Sequence, residues 1–123
     1  MHTFPEYFTG MHYAIKGYKF LFEPYAENFL LVELKKPELK NIQDKFKEIL
    51  RKVIGEDNFF YLTRTTKNFK TGQPDLFIYN ENIGDYFFAE VKFRDKLQEH
   101  QKKLIGLIGK RIPVKLVLVL PKQ

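Results

Sequence analysis

Apolar and polar positions change their spacing several times along this chain, and each change marks an element. Residues 12–22 are rich in β-formers and predict a strand, while residues 1–10 read as irregular. The apolar run 28–34 either pairs with that strand or forms a short helix; a run of this length fits both, and Pro37 ends it. Over residues 38–54 the spacing is helical: Ile42, Phe46, Ile49, Leu50 and Val53 fall on one face, and Gly55 follows as a stop. Residues 58–65 predict a strand and residues 66–72 a polar, basic loop. Pro74-Asp75 opens a short apolar strand over 76–79, Gly84 eases a turn within 80–85, and residues 86–93 form a second strand, so the two make a hairpin. Asp95 then caps a helix over 96–109, with Leu97, Gln101, Leu104, Ile105 and Ile108 on its inner stripe. Pro113 opens a last strand, 114–120, apolar enough to be buried on both faces.

The resulting order is α-β-β-β-α-β behind an N-terminal extension, residues 1–37, that is β-rich or mixed. The helix between the third and fourth strands serves as a crossover between parallel neighbours. The expected class is α/β, a mixed sheet flanked by helices. At 123 residues the chain makes one domain, with its core at 38–123. Internal repeats and low-complexity stretches are absent.

Composition narrows the setting. Cysteine is absent, which excludes disulfides and thiolate-held zinc. No run of eighteen apolar residues marks a membrane span, and the first residues lack the layout of a signal peptide, so an intracellular protein is expected. The net charge of +6 is unevenly placed. Residues 92–123 carry nine Lys and Arg against Asp95 and Glu99, whereas residues 1–91 carry twelve against thirteen acids. The positive excess therefore sits in the last quarter of the chain, and a concentrated basic region attracts polyanions. It fits either a nucleic-acid surface or an ordinary solvated helix face.

The chemistry concentrates at Asp75 and at Glu90-Val91-Lys92. Residues two apart in a strand share a face, so Glu90 and Lys92 point together, while Phe87, Ala89, Val91 and Phe93 point into an apolar layer. Asp75 starts the partner strand, within reach of the same spot. Two carboxylates at one place repel unless a cation lies between them, and oxygen ligands suit Mg²⁺ or Mn²⁺. The Val91 carbonyl lies between the two acting side chains. A cation there polarises a phosphoryl oxygen, and Lys92 orients water or neutralises charge on the phosphate. A plain surface pair between Glu90 and Lys92 is the competing reading. Gln101 weighs against it, because an amide on an apolar helix face needs a partner. Either it meets Lys92 or the site water, or it caps a loop carbonyl. Arg64, Lys67 and Lys70 precede Asp75, and Arg94, Lys96, Lys102 and Lys103 follow Lys92; all seven are candidate phosphate contacts. His2, His12 and His100 have no partner at ligand spacing. The aromatic residues between Tyr13 and Phe29 either stack on bases or serve the core or a dimer face.

Gly72-x-Pro74-Asp75, then Glu90-Val91-Lys92, then Lys96-Leu97-x-x-x-Gln101, resembles the PD-(D/E)xK nuclease superfamily, most closely its VRR-NUC branch, over about residues 41–120. The archaeal Holliday-junction resolvases are similar too. The resemblance implies a restriction-endonuclease-like core and a Mg²⁺- or Mn²⁺-dependent endodeoxyribonuclease. It implies Asp75, Glu90 and the Val91 carbonyl as metal ligands, Lys92 as catalytic lysine and Gln101 as the helix glutamine. It further implies DNA as partner, with branched forms such as junctions or flaps cut by a homodimer. Family members also carry a Glu on the first helix. With that helix at 38–54, the face count puts Gln43 there, while spacing favours Glu48 or Asp44. The missing acid leaves open a second reading: a nucleic-acid-binding module that kept the fold without catalysis.

Overall fold

The computed structural model describes residues 4–22, 36–69, 73–93 and 95–120. Its elements run α1 (Phe4–Ala14), β1 (Lys19–Phe22), α2 (Lys36–Ile54), α3 (Glu56–Thr66), β2 (Leu76–Asn80), β3 (Asp85–Lys92), α4 (Glu99–Ile108) and β4 (Val114–Leu118). The four strands lie in the order β1-β2-β3-β4. β1, β2 and β3 are an antiparallel meander, with Phe20 opposite Ile78 and Phe77 opposite Phe88. β4 returns parallel to β3, with Glu90 beside Leu116 and Lys92 beside Leu118. This is an α/β fold with a mixed sheet and helices on both faces, consistent with the restriction-endonuclease-like architecture.

Strand alternation builds the two apolar layers. Phe77, Tyr79 and Phe88 project to one face, where they pack with Leu50 and Ile54 of α2, Leu62 of α3 and Leu104 and Ile108 of α4. Ile78, Phe87, Ala89 and Val91 project to the other, where Tyr13 of α1 joins them. The hairpin between β2 and β3 turns on Gly84, whose φ of 68° is the left-handed conformation that a glycine adopts without strain. The Tyr18 hydroxyl donates to Asp85 Oδ2 at 2.6 Å and ties the hairpin to the start of β1.

Four local expectations are corrected. Residues 4–14, read as irregular and then as strand, form α1; Pro5 is tolerated in a first helical turn. Gly10 lies against β1, where a Cβ would come within 2.7 Å of the Phe20 ring. Residues 58–65 are not a strand but most of α3, whose Phe59 and Leu62 join the core and whose Tyr61 hydroxyl donates to the Leu107 carbonyl at 2.6 Å. Their β-forming side chains follow a helical face once α2 and α4 are there to receive it. The α-β-β-β-α-β order is thus assembled from α1, β1, β2, β3, α4 and β4, with α2 and α3 inserted between β1 and β2. Finally, β4 is an edge strand: Leu116 and Leu118 are each 60 % exposed, so it is covered on one face only. The run 28–34 lies outside the described residues.

Candidate active site

Two elements bring the site together. Asp75 immediately precedes β2, one position beyond the pair Leu76–Ala89, so it stands opposite Glu90 on the face carrying Phe77 and Phe88. Asp75 Oδ2 accepts a hydrogen bond from the Val91 amide at 2.8 Å. Glu90 and Lys92 follow on the same face of β3 and are buried, at 1 % and 6 % exposure. Gln101 reaches down from the first turn of α4. Its Nε2 donates to Glu90 Oε2 at 3.2 Å; its Oε1 accepts from Lys92 Nζ at 3.3 Å and from the Gln98 amide at 2.8 Å. One amide thus joins the acid, the lysine and the helix start; it meets Lys92 as expected, while at the helix start it accepts from the Gln98 amide and does not cap a carbonyl.

Lys92 Nζ lies 3.2 Å from Glu90 Oε2 and 3.0 Å from Asp95 Oδ2. Asp95 had been expected to cap the following helix. That helix begins later, after Gln98, and Asp95 instead holds the ammonium of Lys92 while its Oδ1 accepts from the Phe93 amide at 3.3 Å. The hydrogen bond from Lys92 keeps the Asp95 carboxyl below the usual carboxylate range. Burial alone would push Lys92 down, but its bonds to Asp95 and Glu90 outweigh that, and its ammonium is held above the ordinary lysine value.

The two acids behave oppositely to Asp95. Burial, then the charge of Asp75, raises Glu90 to about 7. Burial raises Asp75 to about 6, against the Val91 amide, which favours its charged form, and with Glu6 adding to the rise. Both carboxylates therefore hold charge that their surroundings disfavour, which is the condition a cation relieves. Glu90 Oε1 is moreover the one buried side-chain oxygen or nitrogen without a partner among the described residues. A desolvated, unpaired carboxylate oxygen beside a second carboxylate fits a hard divalent ion. No three acidic or histidine side chains among the described residues form a complete ligand cluster, so the donor set here is a pair plus backbone.

The resemblance implied a further acid on the helix at 38–54, with Gln43, Asp44 and Glu48 left open. In the structure Glu6 of α1, 8 % exposed, and Asp95 are the other acids whose charge raises Asp75. Asp44 and Glu48 are exposed and line a cavity of about 650 Å³ between α2 and α3; the side chain of Gln43 is not described. Reading Pro5-Glu6 as a first helical turn was the signal available for Glu6.

Among the described candidate phosphate contacts none is buried. Arg64 stacks over Phe60 at 5.5 Å, and Lys67 ends α3. Lys96, Lys102 and Lys103 are exposed, with Lys102 paired to Glu99 at 3.3 Å. Lys70, Arg94 and His2 lie outside the described residues; His100 is exposed and His12 packs edge-on to Tyr13.

A model of the VRR-NUC domain matches residues 40–120, most of the chain. The chain belongs to the VRR-NUC family. That family is a branch of the PD-(D/E)xK nucleases, and its match spans α2 to β4, including Asp75, Glu90, Lys92 and Gln101. Membership makes this a nuclease domain. No curated protein and no solved structure matches the VRR-NUC chain. Among its described residues no helix is long and apolar enough to cross a membrane.

Proposed function

We propose that this VRR-NUC domain is a metal-dependent endodeoxyribonuclease that cuts branched DNA such as junctions or flaps. One observation carries the reading: the buried Glu90, with Oε1 unpartnered, stands between Asp75 on one side and a Lys92 held in place on the other. Asp75, Glu90 and the Val91 carbonyl are the donors that would hold Mg²⁺ or Mn²⁺. The ion supplies Lewis acidity at a phosphoryl oxygen.

The chain's own groups do the rest. Lys92 presents its ammonium at the mouth of the carboxylate pair, where it neutralises charge developing on phosphate as water adds at phosphorus and the bond to the leaving sugar oxygen breaks. Asp95 and Gln101 fix that ammonium from two sides, so no reorientation is needed at the moment of reaction. Arg64, Lys67, Lys70, Arg94, Lys96, Lys102 and Lys103 are the side chains we assign to phosphate contacts along the strand. The preference for branched DNA draws on the resemblance of Gly72-x-Pro74-Asp75 and Glu90-Val91-Lys92 to the junction resolvases.

Labelled junction, flap, single-stranded and duplex DNA, incubated with and without Mg²⁺ or Mn²⁺, tests this. Cleavage of branched forms that requires the ion supports it; cleavage of every form alike removes the structural selectivity. The second reading, a binding module without catalysis, draws on the incomplete ligand cluster among the described residues. Retention of DNA on gels with no cut under either ion establishes that reading instead.

A further inference from the structure

Asp95 stands at the mouth of the buried cluster, its side chain 63 % exposed, while Glu90 and Lys92 behind it are buried. Between these acids the Lys92 ammonium is fully engaged. An ammonium carries three hydrogens and no acceptor. Three acceptors meet it: Asp95 Oδ2 at 3.0 Å, Glu90 Oε2 at 3.2 Å and Gln101 Oε1 at 3.3 Å. One buried cation is thus shared between an outer carboxylate and an inner one. The inner one, Glu90, is also assigned to hold the divalent ion, and a cation resting on it is that ion's rival.

Given the metal-dependent reading above, on which this rests, we propose that Asp95 is a positioning residue that draws Lys92 off Glu90 and so sets how tightly the carboxylate pair binds its ion. Asp95 is itself anchored, because its Oδ1 accepts from the Phe93 amide at 3.3 Å while Oδ2 faces Lys92. It has no helix to cap, since α4 starts after Gln98, whose amide is bonded by Gln101. Charge points the same way. Asp75, Glu90 and Asp95, set against Lys92, leave two negative charges when all are ionised, which is what one divalent ion balances. Without Asp95 one remains, and the ammonium settles on Glu90. Gln101 cannot substitute, because a neutral amide orients Lys92 without balancing its charge. An ion pair exposed on both sides would contribute little, but here the cation is desolvated and its pull on Glu90 is poorly screened.

Calorimetric titration with Mn²⁺ at pH 8, without DNA, tests this on the full chain. Asp95→Asn should weaken binding about tenfold, and Lys92→Gln should tighten it. Adding Asp95→Asn to Lys92→Gln should change the affinity by less than about twofold, because the acid acts through the lysine. Asp95→Ser should behave as Asp95→Asn, and both should keep the circular dichroism of the parent. Unchanged affinity in Asp95→Asn overturns the proposal. So does an equal loss with and without Lys92, since Asp95 then acts by its own charge alone, and so does a loss that tracks a loss of fold in both variants. A parent chain that binds no Mn²⁺ removes the metal-dependent reading itself, and this proposal with it.

Discussion

Raising the pH should destabilise this protein in the absence of divalent ions. Glu90 is 1 % exposed, and its carboxyl is raised from 4.5 to about 7. The folded state therefore favours the protonated acid. The stability this contributes is complete below pH about 4.5 and is lost as the pH climbs through about 7. Proton linkage over that interval gives on the order of 2–3 kcal/mol between pH 5 and pH 8. Asp75, raised to about 6, acts in the same direction, but its charge is part of what raises Glu90, so the two contributions do not add in full. Asp95 is displaced the opposite way, and its effect falls below pH 4, outside the window. Urea denaturation at pH 5 and pH 8 in EDTA measures the difference directly. Glu90→Gln holds the position neutral and removes most of the dependence; at pH 8 it should be more stable than the parent by about 2 kcal/mol, though its nuclease activity is gone. A parent protein equally stable at both pH values, or a Glu90→Gln protein weaker at pH 8, would refute the assignment of a strained, buried carboxylate.

Three further outcomes are expected. On the proposed ligand set Mg²⁺ or Mn²⁺ would compete with protons for the same oxygens, so the dissociation constant measured calorimetrically should tighten roughly twentyfold from pH 6 to pH 8 and lose that trend in Glu90→Gln. Lys92→Ala should lower cleavage by at least a hundredfold while gel-shift affinity for branched DNA changes less than threefold; equal losses in both assays would contradict its role in the reaction. Gly10→Ala puts a methyl group into the Phe20 ring and should reduce stability by about 1–3 kcal/mol in urea titrations, with α4 and the Lys92 cluster unaffected.

The hairpin and the shared face of its ionisable groups were legible because strand alternation binds face to identity: once Phe87, Ala89 and Val91 are committed to the core, Glu90 and Lys92 have one place to go. Gln101 was legible for a related reason, as a polar residue on a buried stripe. Asp95 was less so. A short acid before a helix reads as a cap, and only the late start of α4 frees it to hold Lys92. The largest departures lie where propensity and context disagree. Phe59, Phe60, Tyr61 and Leu62 favour strand locally, yet neighbouring helices supply a complementary groove and the segment winds into α3. Pro5 and Gly10 hid α1, and with it Glu6, because nothing in the local sequence discloses that the Phe20 ring occupies the space a larger residue would need. The exposed edge of β4 was equally hidden, since an apolar run states hydrophobicity without stating how many neighbours will share it.

The insertion of α2 and α3 has a kinetic corollary. β2, β3, α4 and β4 follow one another closely, and the groups assigned to chemistry fall within positions 75–101 of that stretch. β1 pairs with β2 only after the chain has closed a loop spanning residues 23–75, an entropic toll that the downstream half never meets. The nascent protein should accordingly assemble its reactive centre first and dock its amino-terminal helix and strand last, so that slow amide exchange radiates from β3 while Lys19–Phe22 opens most readily.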